Sequence, residues 1–122
     1  MNTYDLFSGE ELLIAERIQQ RRLQLLVHSC LYYHLNTNLI SDMQWDKWAK
    51  ELVQLQNDYP HIADKVWLST NFKDWDASTG AFLPITEDWV IKIAKSLTSI
   101  PRSQVNTVNQ TVKKKAGKKR LF

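Results

Sequence analysis

The chain has 122 residues, 43% of them hydrophobic, and its single cysteine, Cys30, excludes an intramolecular disulfide. This length suits one compact domain that buries a core without disulfides or metal ions, so we predict no metal site. No uninterrupted apolar run reaches the ~20 residues of a membrane span, and residues 1–8 lack the layout of a signal peptide, which predicts a cytoplasmic protein without membrane contact.

Charge is unevenly distributed along the chain. Residues 113–122 carry six basic residues and no acidic one, whereas residues 1–112 hold ten basic and thirteen acidic residues. A basic tail behind a mildly acidic body is typical of nonspecific contact with nucleic-acid phosphates, although a solubilising tail has the same composition. We expect residues 101–122 to form a flexible tail. The candidate nucleic-acid-binding residues are Lys113, Lys114, Lys115, Lys118, Lys119 and Arg120.

A long helix is predicted near the amino terminus. Ser8 and Glu11 have the spacing of a capping box, so a helix should begin near Gly9. Apolar residues then recur at near-helical spacing over residues 12–31, and the pattern extends to Leu35 with or without a break. The residues predicted for its solvent-facing side are Arg17, Gln20, Arg21 and Gln24.

A second helix is predicted from about Asp42 to just before Pro60. Ser41 and Gln44 repeat the capping-box spacing after the loop of residues 36–38. The predicted apolar stripe contains Met43, Trp45, Trp48, Ala49, Leu52, Val53 and Leu55. A short connection between two amphipathic helices favours antiparallel packing, so the two helices should form a hairpin.

The rest of the chain gives weaker signals. A short helix is predicted near Ile62, and a turn at residues 79–80 between aromatic residues allows a small β-hairpin within residues 71–83. Thr86 is the predicted N-cap of an amphipathic helix that ends before Pro101. The aromatic residues of this region either fill the core or form a partner surface. The predicted fold is therefore a mainly α single domain over residues 1–100, with the helical hairpin and a C-terminal helix.

One stretch carries the information on function. It contains LYY at residues 31–33, ISDMQWD at residues 40–46, EL at residues 51–52 and YP at residues 59–60. This order and spacing resembles the Ia domain of bacterial NAD-dependent DNA ligases, whose pattern is LYY, a loop, ISDAEYD and EL. The resemblance covers residues 21–60, about a third of the chain.

The resemblance implies a binding site for the nicotinamide mononucleotide (NMN) half of NAD. Carried over position by position, the implied cofactor-binding residues are Tyr32, Tyr33, Asp42, Trp45 and Asp46. A cationic nicotinamide ring favours an aromatic face, and carboxylates bind ribose hydroxyls. Trp45 departs from the family, which usually has tyrosine there. The alternative is structural, with the rings packing the hairpin and the carboxylates stabilising the helix N-terminus.

No Lys-x-Asp-Gly adenylation motif occurs in the sequence, so we predict no catalytic residue and no enzyme activity. The predicted function is a non-catalytic binding module that binds NMN or NAD weakly, or binds a macromolecular partner. The alternative is a small accessory or inhibitory protein, for example from a mobile element, that docks on a nucleic-acid enzyme. A piece of a split ligase is a third reading. A protein partner is expected, and the oligomeric state stays open.

Overall fold

The computed structural model describes residues 7–98, which form helices joined by turns and contain no strand. The elements are α1 (Gly9–Ser29), a π-helix (Cys30–His34), α2 (Asp42–Asp58), α3 (Pro60–Ala63), α4 (Ser69–Phe72) and α5 (Asp88–Thr98). The mainly α fold and the C-terminal helix are thus confirmed. The predicted tail with its six basic residues lies outside the described residues.

The predicted hairpin of α1 and α2 is confirmed. Three side-chain hydrogen bonds join the two helices, from Arg21 to Glu51, from Arg22 to Gln56 and from Trp45 to Ser29. Ser29 at the end of α1 contacts Trp45 near the start of α2, whereas Arg21 and Arg22, earlier on α1, contact Glu51 and Gln56 further along α2, so the helices are antiparallel. The pair packs through Leu25, Leu52 and their apolar neighbours, which are removed from solvent.

The helix α1 is the centre of the fold, because α2, α3 and α5 all pack against it. Every residue from position 21 to position 31 is buried, as expected of a helix that is covered on all sides. The prediction that Arg21 and Gln24 face solvent is therefore wrong. Arg21 donates hydrogen bonds to Gln24 at 2.5 Å and to Glu51 at 2.8 Å, which satisfies these polar groups inside the protein.

Arg22 fastens the segment after α2 to the hairpin. Its side chain is 1% exposed and donates to Gln56 Oε1 at 2.9 Å and to the carbonyl oxygens of Ala63 at 3.0 Å, Val66 at 3.0 Å and Trp67 at 3.1 Å. Burial lowers the pKa of the guanidinium to about 10, so it stays protonated at neutral pH. One buried cation thus satisfies carbonyl groups at the end of the short helix α3 and in the turn that follows it.

The small β-hairpin predicted within residues 71–83 is wrong, because these residues form α4, turns and bends. Local hydrogen bonds use the polar groups that a strand pair would need: Trp75 Nε1 donates to the Thr79 carbonyl at 2.7 Å, and Ser78 N donates to Asp76 Oδ1 at 2.9 Å. Ala77 also adopts a positive φ of 71°, which bends the chain out of the extended region.

Two other details of the helices differ from expectation. Ser8 makes no side-chain cap bond, because Gly9 takes a φ of 57° and the first turn lacks the geometry of a capping box. Met43 is 82% exposed, since it lies about 200° around the helix from Trp45, which faces α1. The last helix begins at Asp88, one residue later than predicted.

None of the helices in the described part, residues 7–98, has the length and apolar character needed to span a membrane.

Candidate functional site

A cleft of about 400 Å³ lies where the π-helix meets the start of α2. Its volume falls within the range of about 300–1,000 Å³ that is usual for small-molecule sites. All five residues predicted to hold a nucleotide line this cleft: Tyr32, Tyr33, Asp42, Trp45 and Asp46. The structure therefore brings the predicted set together in one place, and their binding role stays a prediction.

The π-helix puts two neighbouring tyrosines on the surface. Leu35 N donates to the Cys30 carbonyl at 3.0 Å, closing the wide π-type turn, while Leu31 before them remains fully buried. Tyr32 and Tyr33 are 53% and 46% exposed, and their rings meet edge to face at 4.8 Å between centroids. Single π-turns within helical segments often occur at functional sites. Here the turn makes two aromatic faces available to the cleft.

The start of α2 supplies the carboxylates. Ser41 caps the helix by accepting a hydrogen bond from Gln44 N at 3.0 Å, as predicted, which fixes where the helix begins. Asp42 and Asp46 are four residues apart and share one face of the helix. Asp46 is paired with Lys50 at 2.8 Å on an exposed surface, where such a pair contributes little to stability.

Trp45 closes the inner side of the cleft. Its Nε1 donates to Ser29 Oγ at 3.3 Å, and its ring is half-buried. The indole N–H therefore already has a partner on α1, and the ring face is what remains for a ligand. The ring of Trp45 is thus anchored to the hairpin.

His28 lies below this surface, against Trp48 at 5.8 Å between ring centroids. Burial lowers its pKa to about 4, so the imidazole is neutral at pH 7, and neither ring nitrogen has a hydrogen-bond partner among residues 7–98. Asp42 and Asp46 are then the charged side chains among the described residues that line the cleft. The lining of the cleft therefore carries negative charge, which suits a cationic ring.

Cys30, two residues after His28, is fully buried, and burial raises the pKa of its thiol. Within residues 7–98 no group of three or more histidine, cysteine or carboxylate side chains is placed to hold a metal ion.

Besides the five predicted residues, two of the residues that line the cleft come from outside the hairpin. Ser78 and Thr79 reach the cleft from the irregular segment between α4 and α5. Thr79 Oγ1 and the Tyr33 hydroxyl are hydrogen-bonded at 2.9 Å. The sequence did reveal a turn at residues 79–80, but no pattern in it indicates that the turn folds back onto the hairpin.

Comparisons with known proteins match the part of the chain that contains the hairpin. Residues 11–65 match the family model described as DNA ligase-like, N-terminal NAD+-binding domain. The resemblance inferred from residues 21–60 is therefore confirmed and extends in both directions. The DNA ligase of Bacteroides fragilis is 40% identical over 52 residues, which are 43% of this chain and 8% of that ligase. The DNA ligase of Petrotoga mobilis is 39% identical over 49 residues, which are 40% of this chain and 7% of that ligase.

The chain thus matches less than a tenth of the length of these curated relatives. No solved structure gives a significant match. The segment that contributes Ser78 and Thr79 to the cleft lies beyond the residues that match the family model.

Proposed function

We propose that this chain binds the NMN half of NAD+ in the cleft between the π-helix and α2. The observation that carries the proposal is the convergence of all five residues that the ligase resemblance implies, Tyr32, Tyr33, Asp42, Trp45 and Asp46, around one cleft of about 400 Å³. The match of residues 11–65 to an NAD+-binding domain supports the same ligand class.

The cleft fits the chemistry of the oxidised nicotinamide nucleoside. Its aromatic residues offer faces to the pyridinium ring, which is planar and cationic. Asp42 and Asp46 are acceptors for the ribose hydroxyls, and a hydrogen bond to an ionised carboxylate is stronger than one between neutral groups. Both carboxylates also lower the energy of a positive ring nearby.

The 5′-phosphate has no cationic partner among the described residues that line the cleft. In this proposal the phosphate therefore points to solvent and contributes little to affinity. Nicotinamide riboside, which lacks the phosphate, should bind about as well as NMN. NADH, whose reduced ring is neutral, should bind more weakly than NAD+.

The proposed role is binding without catalysis, and the expected affinity is weak. The cleft holds rings, carboxylates and hydroxyls, while the thiol of Cys30 is fully buried and the imidazole of His28 is buried and neutral at pH 7. An open cleft on one small domain encloses only part of a dinucleotide, so much of the ligand keeps contact with water.

Isothermal titration calorimetry of the full chain with NMN, nicotinamide riboside and NAD+ tests the proposal. We expect saturable binding, with Asp46→Asn weakening NMN about tenfold or more because a charge-assisted bond is lost. Asp74→Asn is the matched control, since this exposed carboxylate lies outside the cleft. If the unmodified chain gives no heat of binding up to millimolar NMN, the proposal is refuted.

Lys50→Ala separates the role of the carboxylate from that of its ion pair. This change frees Asp46 from the 2.8 Å contact with Lys50 and leaves the carboxylate in place. The cleft becomes more negative, so the affinity for a cationic nicotinamide should stay constant or rise. A loss of affinity as large as that in Asp46→Asn would contradict direct binding by Asp46.

A further inference from the structure

A segment outside the ligase-like residues 11–65 holds the tyrosine side of the cleft. Thr79 Oγ1 lies 2.9 Å from the Tyr33 hydroxyl, although 46 positions separate the two residues in the chain. Thr79 Oγ1 also accepts a hydrogen bond from Ala81 N at 3.1 Å, so its own position is fixed by the backbone. An exposed tyrosine ring that would otherwise rotate freely is thereby tied at its far end.

The same segment supports the tryptophan side of the cleft. The Trp75 ring meets Trp45 edge to face at 5.9 Å and meets buried Phe72 at 5.2 Å between centroids. Trp75 Nε1 donates to the Thr79 carbonyl at 2.7 Å. One residue therefore joins the core, the cleft tryptophan and the backbone of the residue that holds Tyr33.

Gly80 lets this segment approach the hairpin closely. A Cβ atom at Gly80 would overlap the Ser29 hydroxyl, would lie 2.7 Å from Ser29 Cβ and would lie 3.3 Å from Trp45 Cζ2. Such distances leave no room for a larger residue without movement of the chain. The backbone at Gly80 is thus pressed against the two residues that form the inner side of the cleft.

We propose that the segment Trp75–Gly80 preorganises the nucleotide cleft, with Thr79 as the positioning residue of Tyr33 and Trp75 as the positioning residue of Trp45. This inference rests on the proposed binding of NMN. It adds a cleft wall supplied by the part of the chain that does not resemble ligases. When the aromatic rings are already fixed before binding, the entropic cost of ordering them on binding is lower.

Substitution of Thr79 tests the inference through the affinity of the full chain for NMN. Thr79→Val keeps the volume and removes the hydroxyl, and we expect NMN to bind about three- to tenfold more weakly. Thr79→Ser restores the hydroxyl and should restore the affinity. Thr70→Val is the matched control, because Thr70 is exposed on α4 and does not line the cleft.

A double-mutant cycle with Tyr33→Phe separates positioning from direct contact. If Thr79 acts through Tyr33, then Thr79→Val has no further effect on NMN affinity once the Tyr33 hydroxyl is gone. An equal loss in both backgrounds would overturn the positioning role. Trp75→Phe keeps the ring contacts and loses the bond to the Thr79 carbonyl, so it should weaken NMN binding in the same direction as Thr79→Val.

The outcomes distinguish this inference from the function on which it rests. If the unmodified chain binds NMN and Thr79→Val binds it equally well, the inference is overturned and the proposed function stands. If the unmodified chain does not bind NMN, both the inference and the proposed function are refuted. Urea unfolding of each variant without ligand shows whether lost affinity follows from lost folding, and the absence of any effect of Thr79→Val in the Tyr33→Phe background is the readout that a merely destabilised chain would not give.

Discussion

The hairpin of α1 and α2 and the segment between α2 and α5 are held in place in different ways. The hairpin packs through periodic apolar residues along two helices of 21 and 17 residues. The segment has only two helices of 4 residues each, and Leu68 and Ala77 within it adopt positive φ angles. Its buried apolar residues, such as Val66 and Phe72, follow no helical period, and polar side chains, chiefly Arg22 and Trp75, also hold it in place. Apolar periodicity therefore accounts for the hairpin, whereas the segment combines nonperiodic apolar packing with hydrogen bonds from single side chains.

The largest effect should come from Arg22, the anchor of the segment. Arg22→Leu leaves the carbonyl groups of Ala63, Val66 and Trp67 without this donor, so we expect the free energy of unfolding to fall by about 3 kcal/mol or more, measured by urea denaturation. Arg22→Lys should also destabilise the protein, because a single ammonium cannot match the planar fork of the guanidinium.

Arg17→Leu is the matched control for Arg22. Arg17 lies on the same helix, and its side chain is 42% exposed with one contact to Glu51 at 3.5 Å. An exposed ion pair contributes at most about 1 kcal/mol, so the control should change stability little. If Arg17→Leu and Arg22→Leu lowered the free energy of unfolding equally, Arg22 would not be a special anchor of the segment.

The next effect concerns pH and a polar group inside the hairpin. Burial lowers the pKa of His28 to about 4 from its usual value of 6.5. The unfolded chain therefore takes up a proton before the folded chain does. The free energy of unfolding therefore has its full value above pH 6.5. It decreases as the pH falls toward 4, by up to about 3 kcal/mol, because the unfolded state then binds the proton more tightly.

Urea denaturation at pH 7 and at pH 4.5 measures this loss. His28→Leu should remove part of the decrease in stability between the two pH values, since the leucine does not titrate. His34→Leu, on an exposed residue of the π-helix, is the control and should keep the decrease. An identical pH dependence in the protein and in His28→Leu would contradict the buried neutral imidazole.

The smallest effect tests a polar contact at an end of the hairpin. Ser41→Ala removes the N-cap of α2 and should lower the free energy of unfolding by about 1 kcal/mol. Ser8→Ala, at the start of α1, should have almost no effect because Ser8 makes no cap bond. Thermal unfolding of both variants checks the pair, and a larger loss in Ser8→Ala would show that the first helix is capped after all.

The hairpin and the five cleft residues could be predicted because their signals are local. The Ser41 cap and the helical spacing of apolar residues depend on neighbours within one or two turns. The positions of Tyr32 and Asp46 in one cleft then follow from the hairpin that the ligase-like pattern indicates.

The remainder could not be predicted because it depends on distant contacts. Nothing around Arg22 in the sequence indicates that its guanidinium meets carbonyl groups more than 40 positions away. Arg21 and Gln24 have the polar character of a solvent face, and they are buried because Glu51 and neighbouring helices cover them. Thr79 reaches Tyr33 through a close backbone approach at Gly80, which no periodic pattern encodes.

The single thiol of the chain makes the hairpin's own opening measurable. Cys30 is fully buried in the hairpin, and burial raises the pKa of its thiol, so an alkylating reagent in solution reaches a reactive thiolate only when this region opens. Each opened molecule gains one reagent mass and no more, since no other cysteine is present. The rate of alkylation under native conditions therefore measures how often the region around Cys30 opens.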